Sequence, residues 1–338
     1  MLELKLTQPL DGSTTDPLQR QSWPAAPLPQ ADPEAPPEDR GLPRGLTFAW
    51  EPPPDASGPL RYDLHISSHP DLAPPLILED LPEPRAEVAH LFIATSYAWK
   101  VIARRENTPI AASPVWRFAT HSDTPRWIAV PGITNVRDLG GWSLPDERRV
   151  RQGMVYRSGQ LNGGREITPE GRKVLLHELG IRTDLDIRWS DQEPTQPVLD
   201  EEQVRWINIP ILGYGRIGEA QDLENYPRVF ELFAQRSSYP ILFHCAAGAD
   251  RAGTIAFILK ALLGVSTEDL FRDYELTSLS ASGLREVASE SFQGLLDALQ
   301  PFGESYMERA ENYLLSTGVT AEEIAAIRDL LIVDCRDR

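Results

Sequence analysis

Apolar residues follow two different spacings along this chain. Over the first third they come in short alternating runs, "LTFAW", "RYDLHIS", "AEVAHLF", "SYAWKVIA" and "VWRFAT", separated by turn residues. A period of two puts successive side chains on opposite faces of a strand. Several such runs predict an all-β antiparallel sandwich over residues 1–122. From residue 123 onward the pattern alternates between strand and helix. "IRTDLDIRW", "VRWINIPI" and "YPILFHC" read as strands, and "TPEGRKVLLHELG", "NYPRVFELFAQRS" and "GTIAFILKALLG" as helices. That alternation predicts an α/β sheet layered by helices over 123–338. After residue 266 only helical spacing remains, in "STEDLFRDYELTS", "SFQGLLDALQP", "GESYMERAENYLLSTG" and "TAEEIAAIRDLLI". Ser266 followed by acids is a helix-start signal.

Composition agrees with a multidomain chain. Its 338 residues are long for one domain, and 41% hydrophobic residues suffice for packed cores. Most of the 30 prolines precede residue 132, and the Pro-rich stretch 24–44 reads as a long loop. The net charge of -17 repels nucleic acid and anionic membranes, so any anion site must be local. The start "MLELKLTQPLDGSTTD" lacks a signal-peptide pattern, and no apolar run reaches the roughly 18 residues of a membrane span. Two cysteines, Cys245 and Cys335, make no disulfide framework. The expectation is a cytoplasmic protein with no nucleic-acid partner and no membrane insertion.

The candidate chemistry lies in "FHCAAGADRAGT", residues 243–254, between a strand and a helix. A helix N-terminus and a tight loop of inward amides bind anions. The small residues Ala246, Ala247, Gly248 and Ala249 allow close backbone approach to a tetrahedral oxyanion, and Arg251 offers a planar fork for two of its oxygens. The same surroundings would deprotonate Cys245 and leave a thiolate in line with a bound phosphoryl group. A purely structural cysteine in a packing turn is the alternative, and it gives Arg251 no partner.

Cys-x5-Arg, preceded by His244 and followed by Gly-Thr, resembles the protein tyrosine phosphatase signature. "GITNVRDLGGW" (132–142), "VYRSGQL" (155–161) and the tail "MERAENYLLSTGVTAEEIAAIRDLL" resemble, in order, a bacterial tyrosine and lipid phosphatase family. The resemblance spans roughly 125–333. It implies a metal-free, cofactor-free cysteine phosphatase acting on phosphotyrosine, sometimes on phosphoserine, phosphothreonine or phosphoinositides. A phosphorylated protein or a small phosphomonoester would be its partner. In that frame Cys245 attacks phosphorus and Arg251 clamps the equatorial oxygens. His244, Ala246, Ala247, Gly248, Ala249, Ala252 and Gly253 form the substrate-binding loop, with His244 orienting it. Asp250 matches the family's loop aspartate and is the first choice for general acid; a salt-bridged loop residue is the other reading. Asp186, Asp191 and Glu193 stand in reserve. Arg137, Asp138 and Arg157 read as a buried ion-pair scaffold rather than catalytic groups.

Two departures from the family pattern matter. Ala249 stands where a lysine is usual, which shifts weight toward a monophosphate substrate. Ala252 stands where a hydroxyl usually assists the thiolate, which predicts slow breakdown of a cysteinyl-phosphate; Thr254 is a possible substitute. A phosphate-binding pseudophosphatase acting as an interaction module is therefore the competing class. A rhodanese-type sulfur transferase lacks support in the flanking motifs. The N-terminal segment resembles a fibronectin type III domain through Trp50, Tyr62, the Tyr97-x-Trp99-x-Val101 strand and "SPVWRFAT". Those aromatics read as sandwich core, with a protein- or carbohydrate-binding face as the alternative.

Overall fold

The longest strand of the first unit, Ser96–Arg105, pairs antiparallel with Arg61–Ser67, with Thr108–Ala112 and with Trp116–Ala119. A second sheet joins Lys5–Gln8, Leu46–Glu51 and Arg85–Val88. This is a computed structural model, and it describes residues 2–19, 42–54, 58–189, 195–200, 202–280 and 283–335. The two sheets enclose one core: Phe48 meets Trp99 edge-on at 5.0 Å, and Trp50 meets Tyr62 at 5.3 Å. Trp50, Tyr62, Tyr97 and Trp99 are all buried, so they hold the sheets together and present no ligand face. The strand Leu76–Leu81 was not predicted, because its side chains are mostly exposed on both faces and carry no alternation. Most of the Pro-rich stretch 24–44 lies outside the described residues.

The chain divides into two compact units, the first holding Met1–Arg20 and Pro43–Thr124 and the second Pro125–Asp337 together with Gln21–Leu42. The second is built on a five-stranded sheet in the order Arg137–Asp138, Val155–Ser158, Ile241–His244, Thr183–Asp186, Arg205–Asn208. Arg137–Asp138 runs antiparallel to its neighbour, and the other pairings are parallel. Parallel strands are covered on both faces, and their residues divide between two cores. Ile241 and Phe243 point to one core, Leu242 to the other. Helix α1, Pro169–Lys173, extended by the turn Val174–Glu178, covers the Leu242 face. The Phe243 face carries α2 (Ala220–Ala234), α3 (Arg251–Leu262), α4 (Thr267–Leu276), α5 (Glu290–Leu299), α6 (Tyr306–Thr317) and α7 (Ala321–Leu331). Helix α3 is buried along its length except at Arg251, as its unbroken apolar run requires. Among the described residues no helix is long and apolar enough to cross a membrane.

Candidate active site

Residues Cys245–Arg251 join the central strand to α3, and their carbonyls are fastened from outside. The Gln160 N–H donates to Ala246 O at 3.0 Å. Asn135 Nδ2 donates to Ala247 O at 3.2 Å and to Gly248 O at 2.9 Å. Arg157 Nη2 donates to Gly248 O at 2.7 Å and to Ala249 O at 3.1 Å. In a planar trans peptide the C=O and the following N–H oppose each other. Tying these carbonyls outward therefore turns the N–H groups of Ala247, Gly248, Ala249 and Asp250 inward, as an anion nest. The N-terminus of α3 closes the nest with its partial positive charge. Gly248 has φ +65°, and a Cβ there would lie 2.4 Å from the Ser158 carbonyl, so only glycine fits.

Cys245 starts this loop and is 2% exposed, packed against the α3 side of the sheet. Arg251 opens α3. Among the described residues its guanidinium has no hydrogen-bond or ion-pair partner. Arg126, Arg157 and Arg188 are each paired with a carboxylate. A thiol, a ring of inward amides and an unengaged guanidinium are thus brought to one short loop.

The scaffold behind the loop is only partly the one expected. Arg157 Nη1 reaches Asp273 Oδ2 at 3.2 Å, and Arg137 Nε lies 3.5 Å from Asp273 Oδ1. Lys260 Nζ meets the same carboxylate at 2.6 Å. Asp138 is not part of this group: it pairs with Arg126 at 2.6 Å and caps the N–H groups of Gly140 and Gly153. Arg137 also donates to the Asn135 side chain, which holds the loop. Burial alone would raise the Asp273 carboxyl, but Lys260, Arg137 and Arg157 pull it well below the usual carboxylate range. Burial, reinforced by the two arginines, lowers Lys260 to about 8 against the pull of Asp273. Asn135, Lys260 and Asp273 were not singled out from the sequence. A lysine centred in the apolar "IAFILKALLG" was the available signal, since a charge there must find a partner.

The acids separate clearly. Asp250 lies in the loop with its side chain 43% exposed, and it accepts from Tyr214 Oη at 2.6 Å and Arg285 Nε at 2.9 Å. Asp186 is fully buried and held by Arg188 at 2.9 and 2.8 Å. Asp191 and Glu193 lie outside the described residues. Asp222 is buried and accepts from the N–H groups of Leu212 and Gly213, so it shapes the loop beside the site. His244, Ala252 and Gly253, expected among the substrate-binding residues, present no exposed side chain to a substrate. His244 is 1% exposed, with Nε2 3.1 Å from Asp184 Oδ1, on the face opposite the Phe243 core. Ala252 is 0% exposed in the core and Gly253 faces Arg157. The Thr254 hydroxyl is occupied, donating to Asp250 O at 3.0 Å and accepting from the Tyr214 N–H at 2.9 Å.

The sequence profile of the Tyrosine phosphatase family matches residues 128–333. A candidate tyrosine-protein phosphatase of Cupriavidus necator is 29% identical over 212 residues, covering 55% of this chain and 73% of that protein. A tyrosine-protein phosphatase of Nostoc commune is 24% identical over 196 residues, covering 45% of this chain and 67% of the relative. Among solved structures, the catalytic core of Siw14 aligns at 15% identity with a TM-score of 0.31, covering 52% of this chain and 96% of that one. The family profile spans the sheet, the Cys245–Arg251 loop and the helices that follow, and the chain belongs to the tyrosine phosphatase family, as a cysteine-dependent phosphatase.

Proposed function

We propose that the protein hydrolyses phosphate monoesters, phosphotyrosine foremost, through a cysteinyl-phosphate at Cys245. The observation that carries this reading is the Arg251 guanidinium, partnerless among the described residues beside a loop whose amides face inward. Two phosphate oxygens would supply the partner that Arg251 lacks. The Cys245 thiolate attacks phosphorus, the ester P–O bond breaks, and Asp250 gives its proton to the leaving oxygen. Water then attacks the phosphocysteine, Asp250 takes the proton back, and inorganic phosphate leaves with the thiolate restored. Ala249 adds no charge to the loop, which favours a monophosphate over a multiply charged headgroup. The N-terminal sandwich we read as fibronectin type III-like, in a chain working in a reducing, cytoplasmic setting.

Ala252 and the occupied Thr254 hydroxyl favour the second reading, a slow or inactive phosphate-binding module. Hydrolysis of p-nitrophenyl phosphate separates the two. The expected result is turnover by the wild-type protein and none by Cys245→Ser; equal rates for both proteins would sink the enzymatic reading.

A further inference from the structure

Tyr214 and Arg285 come from different segments and converge on one carboxylate. Tyr214 lies in the turn after the strand Arg205–Asn208, and Arg285 follows α4. The Tyr214 hydroxyl donates to Asp250 Oδ1 at 2.6 Å. Arg285 Nε donates to the same oxygen at 2.9 Å, and its Nη2 to Oδ2 at 3.3 Å. The tyrosine is itself fixed. Its backbone has φ +52°, in the left-handed region that non-glycine residues seldom adopt. Its N–H is bound by Thr254 of α3, and Gly213 before it sits so close that a Cβ would lie 3.2 Å from Arg251 Cα. Its hydroxyl also lies 3.3 Å from the Tyr274 hydroxyl, which lies 3.2 Å from Ser289 Oγ. Burial first, and then the Asp250 hydrogen bond, hold the Tyr214 phenol well above its ordinary value, so it stays a donor.

We propose that Tyr214 and Arg285 are positioning residues that hold the Asp250 carboxyl at the rim of the Cys245–Arg251 loop, at the angle from which it protonates the leaving oxygen. This rests on the reading of Asp250 as general acid. A carboxyl at a helix N-cap turns freely about two side-chain bonds, and acid catalysis needs it within hydrogen-bond reach of one atom. Two donors on packed, separate elements remove that freedom. Neither residue need touch the substrate.

The test compares two esters, p-nitrophenyl phosphate and phenyl phosphate. Phenol is the poorer leaving group and depends more on the acid. The measured quantity is the ratio of kcat/KM for the two esters, in wild type, Cys245→Ser, Asp250→Asn, Tyr214→Phe, Arg285→Gln and Arg285→Lys. Tyr214→Phe keeps the ring and the backbone contacts and removes only the hydroxyl. Asp250→Asn is expected to raise the p-nitrophenyl-to-phenyl ratio by about 100-fold, the low end of general-acid effects. Tyr214→Phe and Arg285→Gln should each raise it by about tenfold or more, with Arg285→Lys restoring part of the loss. The rate at which iodoacetamide alkylates Cys245 should stay within about twofold of wild type in these variants. A ratio unchanged in Tyr214→Phe and Arg285→Gln, with a large change in Asp250→Asn, overturns the positioning role and leaves the acid assignment standing. A ratio unchanged in Asp250→Asn overturns the acid assignment and this inference with it. Activity retained by Cys245→Ser overturns the reading of the whole site.

Discussion

At the scale of single residues, the proposed mechanism is tested most directly at the step after phosphoryl transfer. Ala252 supplies no hydroxyl, and the Thr254 hydroxyl is engaged by Asp250 O and the Tyr214 N–H. A hydrogen bond to a charged group is worth about 1.5–3 kcal/mol, roughly ten- to a hundredfold in rate. Rapid-quench kinetics with p-nitrophenyl phosphate should therefore show a burst of nitrophenol close to one per active site, followed by slow turnover. Ala252→Ser should raise the steady-state rate about tenfold and shrink the burst. No burst in the wild type would mean that dephosphorylation is not slow. Which residue carries the missing contact could be read from the sequence alone; that Thr254 is occupied could not, because its partner Tyr214 lies 40 positions away.

At the scale of elements, α3, α4 and the strands Val155–Ser158 and Arg137–Asp138 meet around one carboxylate and three cations: Asp273 with Lys260, Arg137 and Arg157. Removing the carboxylate leaves buried cations unpaired, so Asp273→Ala should cost roughly 3–5 kcal/mol. Lys260→Met should cost far less, since Asp273 keeps two guanidinium partners. The pH dependence separates them further. The folded value of Lys260, about 8, lies below its unfolded value of about 10.4, so the unfolded chain binds more protons between the two. Stability contributed at this site therefore rises from about pH 8 to about pH 10.4, and the cost of the buried charge is felt fully below that window. Asp273 has the opposite sign: its contribution is complete above about pH 3.9 and is lost as the pH falls through its lower folded value. Urea midpoints measured from pH 7 to 10 should rise in the wild type relative to Lys260→Met if Lys260 titrates at its lowered value in the folded protein, and run parallel if it does not. The strands and helices with clear periodicity were legible beforehand, and α2 to α7 each overlap a segment read as helical, although α2 begins at Ala220, in a stretch read as loop. The strands Arg137–Asp138 and Val155–Ser158 were legible only as motifs, because their buried arginines and aspartate break the apolar pattern.

At the scale of the whole molecule, a chain of net charge -17 must hold an anion by local geometry alone. A ligand that binds only the folded state stabilises it, by about 2.7 kcal/mol at a hundredfold excess over Kd. Orthovanadate should thus raise the thermal midpoint of the wild type, and Arg251→Met should abolish the shift. An equal shift in the variant would place the anion elsewhere. The sequence by itself determined the two spacings of apolar residues, the class of each unit, and the contiguous loop with its thiol, glycine and arginine. These are local properties, written within a few residues of one another. Only the tertiary structure decided which way the loop carbonyls face, which carboxylate the buried cations share, and what grips Asp250. Those depend on Asn135, Arg157, Tyr214, Asp273 and Arg285, which are scattered along the chain and meet because sheet pairing and helix packing bury them together.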